Sequence, residues 1–158
     1  MSKTDSDSGI KVLADNRKAR FNYTVEEKFE AGIELKGTEV KSVRIGKFSF
    51  ADSYARVIDN ELILCSFHIS QYEFGNIFNH EPDRNRRLLV HKLEIKRLQR
   101  KIDERGYTLV PLKVYLKKGI VKVEIGICKG KKTHDKREAI KNRDLKREAD
   151  REIRDRLR

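Results

Sequence analysis

The chain has 158 residues, 37 Lys or Arg against 25 Asp or Glu, and a net charge of +12, so it is about one domain with a strong attraction for polyanions. It is 37% hydrophobic and 39% charged, enough to bury one core but leaving little apolar material outside it. Cys65 and Cys128 stand far apart with no CxxC, which argues against a disulfide framework or zinc-ligand spacing. No apolar run approaches a membrane span, and residues 1–15 lack the apolar core of a signal peptide; a cytoplasmic protein without membrane contact is expected.

In chain order, residues 1–15 read as a disordered leader. From Phe21 the apolar positions alternate (Phe21, Tyr23, Val25, Phe29, Ala31, Ile33, Leu35), interrupted at Glu27, which predicts one long half-buried strand bent near Gly32. Thr38 is placed to cap a short helix running to Arg44. Strands are expected over 52–58 and 62–67, joined by a tight turn at Asp59-Asn60, because Asn and Asp tolerate positive φ. Residues 70–87 read as a loop. A helix follows over 91–105, with Ile95, Leu98 and Ile102 at i, i+3, i+7 and Gly106 as its C-terminal cap. Two more strands, 107–116 and 120–128, meet at Lys117-Lys118-Gly119, and Pro111 inside the first implies an edge or a bulge. About five antiparallel strands with one late helix favour a small closed barrel of the OB type, with a two-layer α+β sandwich as the competing arrangement.

The last thirty residues, 129–158, hold thirteen Lys or Arg and seven Asp or Glu, a net +6 that is half the charge of the chain. Leu145, Ala149, Ile153 and Leu157 form a narrow stripe at spacing four. Such a helix has little to pack on, so the tail is expected to be disordered when free and helical when bound. The expected organisation is a leader over 1–15, an OB-like barrel over 16–129 and a basic tail over 130–158.

Catalytic chemistry is not visible. The sequence has no HExxH, no GxSxG and no complete phosphate loop. Neither an enzyme, a metal nor another cofactor is expected. Three basic groups point instead to RNA: Arg17, Lys18 and Arg20 beside Asn16; Arg84, Arg86 and Arg87; and the tail. Aromatic residues lie near the first two (Phe21 and Tyr23; Tyr72, Phe74 and Phe78), the mixture that grips unpaired bases and phosphates together, although core burial accounts for the same residues equally well.

Several short words stand out in this order: Asn16-Arg17-Lys18-Ala19-Arg20-Phe21, Glu30-Ala31-Gly32-Ile33, Gly37-Thr38-Glu39-Val40-Lys41-Ser42, Asp52-Ser53-Tyr54, His68-Ile69, Leu88-Leu89, 106–112 (GYTLVPL), and Gly130-Lys131-Lys132 with Asp135-Lys136-Arg137. Over about residues 16–150 they closely resemble the SsrA-binding protein (small protein B) family. The resemblance implies an OB-like barrel with two to three helices. It implies a non-enzymatic role in trans-translation, in which the barrel binds the tRNA-like domain of transfer-messenger RNA (tmRNA) through positions matching Asn16, Glu30 and Leu89. It also implies that the tail, marked by Gly130, Lys131, Lys132, His134, Asp135, Lys136 and Arg137, probes the small-subunit decoding site and empty mRNA channel of a stalled ribosome, the protein acting as a monomer. Gln71, Asn60 and Cys128 depart from the family pattern, where Pro, Gly and Ala are usual, but none lies at an expected RNA contact. A structural ribosomal component and an RNA-acting enzyme are the rival classes.

Overall fold

The computed structural model describes residues 9–75, 79–131 and 133–157. Nine strands and four helices occur among them. In chain order they are β1 (Ile10–Asp15), α1 (Arg17–Asn22), β2 (Tyr23–Ile33), α2 (Gly37–Arg44), β3 (Phe48–Ser49), β4 (Tyr54–Ile58), β5 (Glu61–Cys65), β6 (His68–Ile69), β7 (Arg86–Leu89), α3 (Lys92–Arg105), β8 (Thr108–Lys117), β9 (Ile120–Gly130) and α4 (Thr133–Arg156).

All pairings are antiparallel. The sheet runs β8-β4-β5-β7-β2-β9, and β9 pairs back onto β8, closing the barrel. Closure removes the free strand edges. The seam at β8 is where the chain departs from expectation. β4 touches β8 through Ala55 and Leu109, leaving the C-terminal half of the β8 edge open. β1 fills that half, with Ile10 opposite Lys117 and Asp15 opposite Lys113. Residues 10–15, expected in a disordered leader, are therefore a strand. Residues 1–8 lie outside the described part.

The two turns read from sequence adopt the backbone they require. Asp59 and Asn60 have φ of 50° and 63°, and Lys118 and Gly119 have 51° and 80°. These pairs match the right-handed twist of their flanking strands. Pro111 sits at a bulge: the register with β9 slips between Pro111 and Lys113.

The barrel is filled by inward residues of the strands, among them Leu62, Leu64, Leu88, Leu109, Val123, Ile125 and Ile127. α3 supplies Ile95 and Leu98 as a plug, with Ile102 packed against it. Its expected cap is present, Gly106 being left-handed at φ 65° with its N–H bonded to the Ile102 carbonyl.

A second, smaller cluster lies under α1, made of Ala19, Val110, Leu112 and Cys128 with Tyr23 and Val25 against it. Gly126 allows this close approach, since a Cβ there would meet Leu112 Cδ1 at 2.7 Å. Burial pushes the Cys128 thiol up to about 11, so the thiolate is scarce at neutral pH.

Candidate nucleic-acid interface

Asn16 is buried, and its geometry follows from the Pro111 bulge. Asn16 bonds the two carbonyls at the bulge, those of Pro111 and Leu112. Its Nδ2 donates to Pro111 O at 2.8 Å and its backbone N–H to Leu112 O at 2.7 Å. Its Oδ1 accepts from Ala19 N at 3.1 Å, which is the N-cap bond of α1. Alternation of apolar residues alone would begin the first strand at Phe21. Residues 17–22 are instead this short helix, because the Asn16 cap and the burial of Ala19 under it outweigh the alternation. Asn16 thus holds the basic helix in place through both ends of its amide. Asn16→Ala is expected to lower stability by about 1–2 kcal/mol, through loss of a cap and a buried bond. Urea unfolding measures this, and an unchanged midpoint would remove the structural role.

α1 presents Arg17 and Lys18 to solvent, with Arg20 half-buried. Lys18 lies 3.3 Å from Asp52 and Arg20 3.1 Å from Asp15. These surface pairs are weak, about 0–1 kcal/mol, and yield readily to a phosphate. The tail starts beside them: Lys131 N–H donates to Asn22 O at 2.9 Å, and Lys129 Nζ lies 4.9 Å above the Tyr107 ring. The first basic group and the root of the tail therefore form one cationic face.

The second basic group does not survive intact as an anion site. Along β7 burial alternates, with Arg86 and Leu88 inward and Arg87 and Leu89 outward. Arg86 is 0% exposed and lies inside a polar knot with Glu39 of α2. Its Nε donates to Glu39 Oε2, and its other N–H groups reach the carbonyls of Phe67 at 2.6 Å, Arg84 at 3.0 Å, Pro82 at 3.1 Å and Glu81 at 3.5 Å. Glu39 Oε1 accepts from Arg84 Nη2 at 2.6 Å and from Lys36 N at 2.8 Å. Arg84 and Arg86, expected to contact RNA, are thus committed to the fold. Arg87 remains outside, between Glu34 at 3.0 Å and Glu61 at 3.3 Å.

A single groove joins the other two family positions. Glu30 of β2 and Leu89 of β7 both line a cleft of about 510 Å³ between the barrel wall and the start of α3. Gly32 pairs with Leu89 on one side and with Lys122 on the other, so one row crosses three strands. A Cβ on Gly32 would come within 3.2 Å of Leu89 Cβ, so the glycine lets Leu89 lean across the sheet. Leu89 is 50% exposed and offers the cleft an apolar platform.

Glu30 accepts from the Tyr115 hydroxyl and lies 3.5 Å from Lys117 Nζ. The Tyr115 bond, with help from the Lys117 charge, outweighs desolvation and holds the Glu30 carboxyl below its ordinary value. At neutral pH it is an ionised acceptor. Arg87, Lys92 and Lys122 line the same cleft, as do Glu61 and Glu94. A carboxylate with cations beside it can accept from the N–H groups of a base edge while the cations hold the adjoining phosphates.

Of the expected barrel residues, the structure brings Glu30, Leu89 and Arg87 together, and sets Asn16, Arg17, Lys18 and Arg20 apart on α1. Lys92 and Lys122 were missed, because their place in the cleft depends on strand register and on the seating of α3. Of the expected tail residues, Gly130 has open space around it and Lys131 is half-buried at the root. Arg137 is exposed on α4. Lys132 lies outside the described residues, as do the side chains of His134, Asp135 and Lys136. Phe74 is 83% exposed and packs edge-on to Tyr72 at 5.7 Å, and Lys41 Nζ lies 5.4 Å over the Tyr72 ring. Phe78 lies outside the described residues. No described helix is long and apolar enough to cross a membrane.

The model of the family described as "SmpB protein" matches residues 13–155. An SsrA-binding protein of Treponema denticola is 60% identical over 144 residues, which are 91% of this chain and 94% of that one. One of Caldicellulosiruptor bescii is 54% identical over 158 residues, the whole of both chains. A chain from a solved structure described as "tmRNA-SmpB: a journey to the center of the bacterial ribosome" superposes with a TM-score of 0.65 at 48% identity, covering 80% of this chain and 93% of that one. With an OB-like barrel, a cation-rimmed cleft at Glu30 and Leu89, and a family match along nearly its whole length, the chain belongs to the SmpB protein family.

Proposed function

We propose that the protein binds tmRNA and acts in trans-translation as a non-enzymatic RNA-binding factor in the cytoplasm. The barrel holds the tRNA-like domain, and the tail reads the vacant decoding site and mRNA channel of the stalled ribosome. The observation that carries the barrel half is the joining of Glu30 and Leu89 in one cleft rimmed by Arg87, Lys92 and Lys122. Relatives named for SsrA binding, and a solved neighbour described with tmRNA and the ribosome, support the same ligand.

The roles follow from chemistry. Leu89 offers an apolar surface to an unstacked base, and full burial of a leucine side chain is worth about 1.5–3 kcal/mol. Glu30 discriminates by accepting from base N–H groups and repelling a misplaced phosphate. Arg17, Lys18 and Arg20 on α1 supply phosphate contacts beside the tail root.

The test is filter binding of the full-length protein to tmRNA transcribed in vitro, against a bulk tRNA competitor. Leu89→Ala is expected to weaken binding by roughly tenfold, an effect in the range of one lost base contact. Glu30→Gln is expected to weaken it by a similar factor and to narrow the preference for tmRNA over tRNA. Wild-type binding no tighter for tmRNA than for the competitor would overturn the proposed ligand.

A further inference from the structure

Helix α3 sorts its cations onto two faces. Arg97 and Lys101, one turn apart, both reach Glu27 of β2; Arg97 Nη2 lies 2.7 Å from Glu27 Oε2. These bonds, with the one from Lys101 foremost, hold the Glu27 carboxyl below its ordinary value and pin the helix to the barrel. Lys92, Lys96 and Arg100 form a second row at the same spacing and point elsewhere. Among the described residues none of the three has a carboxylate within ion-pair distance.

This second row lines a groove of about 360 Å³ between α3 and the β4–β5 hairpin, over Val57, Asn60 and Ile95. None of the residues lining it is acidic. Asn60, Lys92 and Ile95 also line the Glu30–Leu89 cleft, so the two grooves run into each other. At 1.5 Å of rise per residue, the three cations stand roughly 6 Å apart along the helix. Like charges at i, i+4 cost the free helix a few tenths of a kcal/mol per pair. An anionic strand laid along the row would reverse that cost.

We propose that Lys92, Lys96 and Arg100 form a phosphate track that takes the sugar–phosphate backbone of the same RNA whose unstacked base lies over Leu89. This rests on the tmRNA reading and extends it. The occupant follows from two features of the surface: the groove is continuous with the base-contacting cleft, and its charge is of one sign. Glu27 stays with Arg97 and Lys101, so the track is free while the helix remains docked.

The experiment is the salt dependence of tmRNA binding by the full chain. Each phosphate contact contributes roughly 0.7–0.9 to the slope of log affinity against log salt. The triple variant K92Q/K96Q/R100Q should lower that slope by about two or more. Gln is a good helix former, and an unchanged far-UV spectrum and melting temperature establish that the variant is folded. The variant K11Q/K47Q/K118Q removes the same charge from exposed positions outside both grooves, and should change the slope by less than one. A smaller fall in the first variant, or an equal fall in the second, overturns the track. Wild-type protein that fails to bind tmRNA at all overturns the underlying reading instead, and is told apart because it needs no variant to observe.

Discussion

Glu39→Gln is expected to destabilise the barrel by about 3–5 kcal/mol, the cost of leaving one partner of a buried ion pair uncompensated. Against a typical domain stability of about 5–15 kcal/mol this is a large share. The size follows from what Arg86 would lose. Its guanidinium is fully buried, its remaining partners are carbonyl oxygens, and Glu39 is the only anion bonded to it among the described residues. Arg86→Met should be no milder, because it strips donors from the carbonyls of Phe67, Arg84 and Pro82 as well as from Glu39. For the same reason the double variant E39L/R86M should not recover wild-type stability, although many buried pairs can be exchanged for apolar residues at little cost. pH gives an independent check. Burial pushes the Glu39 carboxyl up, but the bonds from Arg84, the Lys36 backbone and Arg86 outweigh it, and the net shift is downward from 4.5. A carboxyl whose folded pKa is depressed stabilises the fold above its unfolded pKa, and that contribution is lost as pH falls through the folded value. The gap in urea midpoint between wild type and Glu39→Gln should therefore be full at pH 7 and shrink on acidification below about 4.5. A gap that is small at pH 7, or that grows in acid, would show that Glu39 does not hold the knot.

The knot marks the limit of what the sequence made legible. Local signals were sufficient where one element decides its own shape: the Asp59-Asn60 turn, the Lys118-Gly119 turn, the Ile95–Leu98–Ile102 stripe and its Gly106 cap all appear as expected. Closure of the barrel is non-local, since it depends on β9 returning to β8, and periodicity alone left the sandwich open. The arginines of 84–87 were weighed by charge, yet charge says nothing of direction. The alternation that puts Leu88 in the core puts Arg86 on the same side, two residues away, and this could have been read from the pattern. What no pattern supplied was the partner, because Glu39 lies 47 residues away on α2. The Glu30–Leu89 pairing came through family resemblance alone. Its physical reason is the row Leu89–Gly32–Lys122, which needs the register of three strands.

Reversing the charge of Lys136 and Arg137 to Glu is expected to leave tmRNA affinity within about twofold, and to reduce the tagging of peptides on stalled ribosomes by a hundredfold or more. α4 follows Gly130, and its apolar stripe is unburied, with Leu145, Ala149, Ile153 and Leu157 all exposed. A helix of 24 residues is roughly 36 Å long, and one whose described apolar side chains are exposed is marginal in water. On the proposed reading it is ordered by its surroundings in the ribosome, at an entropy cost on the order of 1 kcal/mol per residue. Contacts between tail cations and rRNA phosphates have to offset that cost. The double reversal deletes two such contacts and sets two carboxylates against the same phosphates. A loss of about 3 kcal/mol, a modest sum for four units of charge, already corresponds to more than a hundredfold. The barrel cleft is untouched, since none of its lining residues belongs to α4. Filter binding reports the first half and a reconstituted tagging assay the second. If both activities fell together, the barrel and the tail would not be separable anion-binding parts, and the cleft would have to be assigned a ligand that spans both.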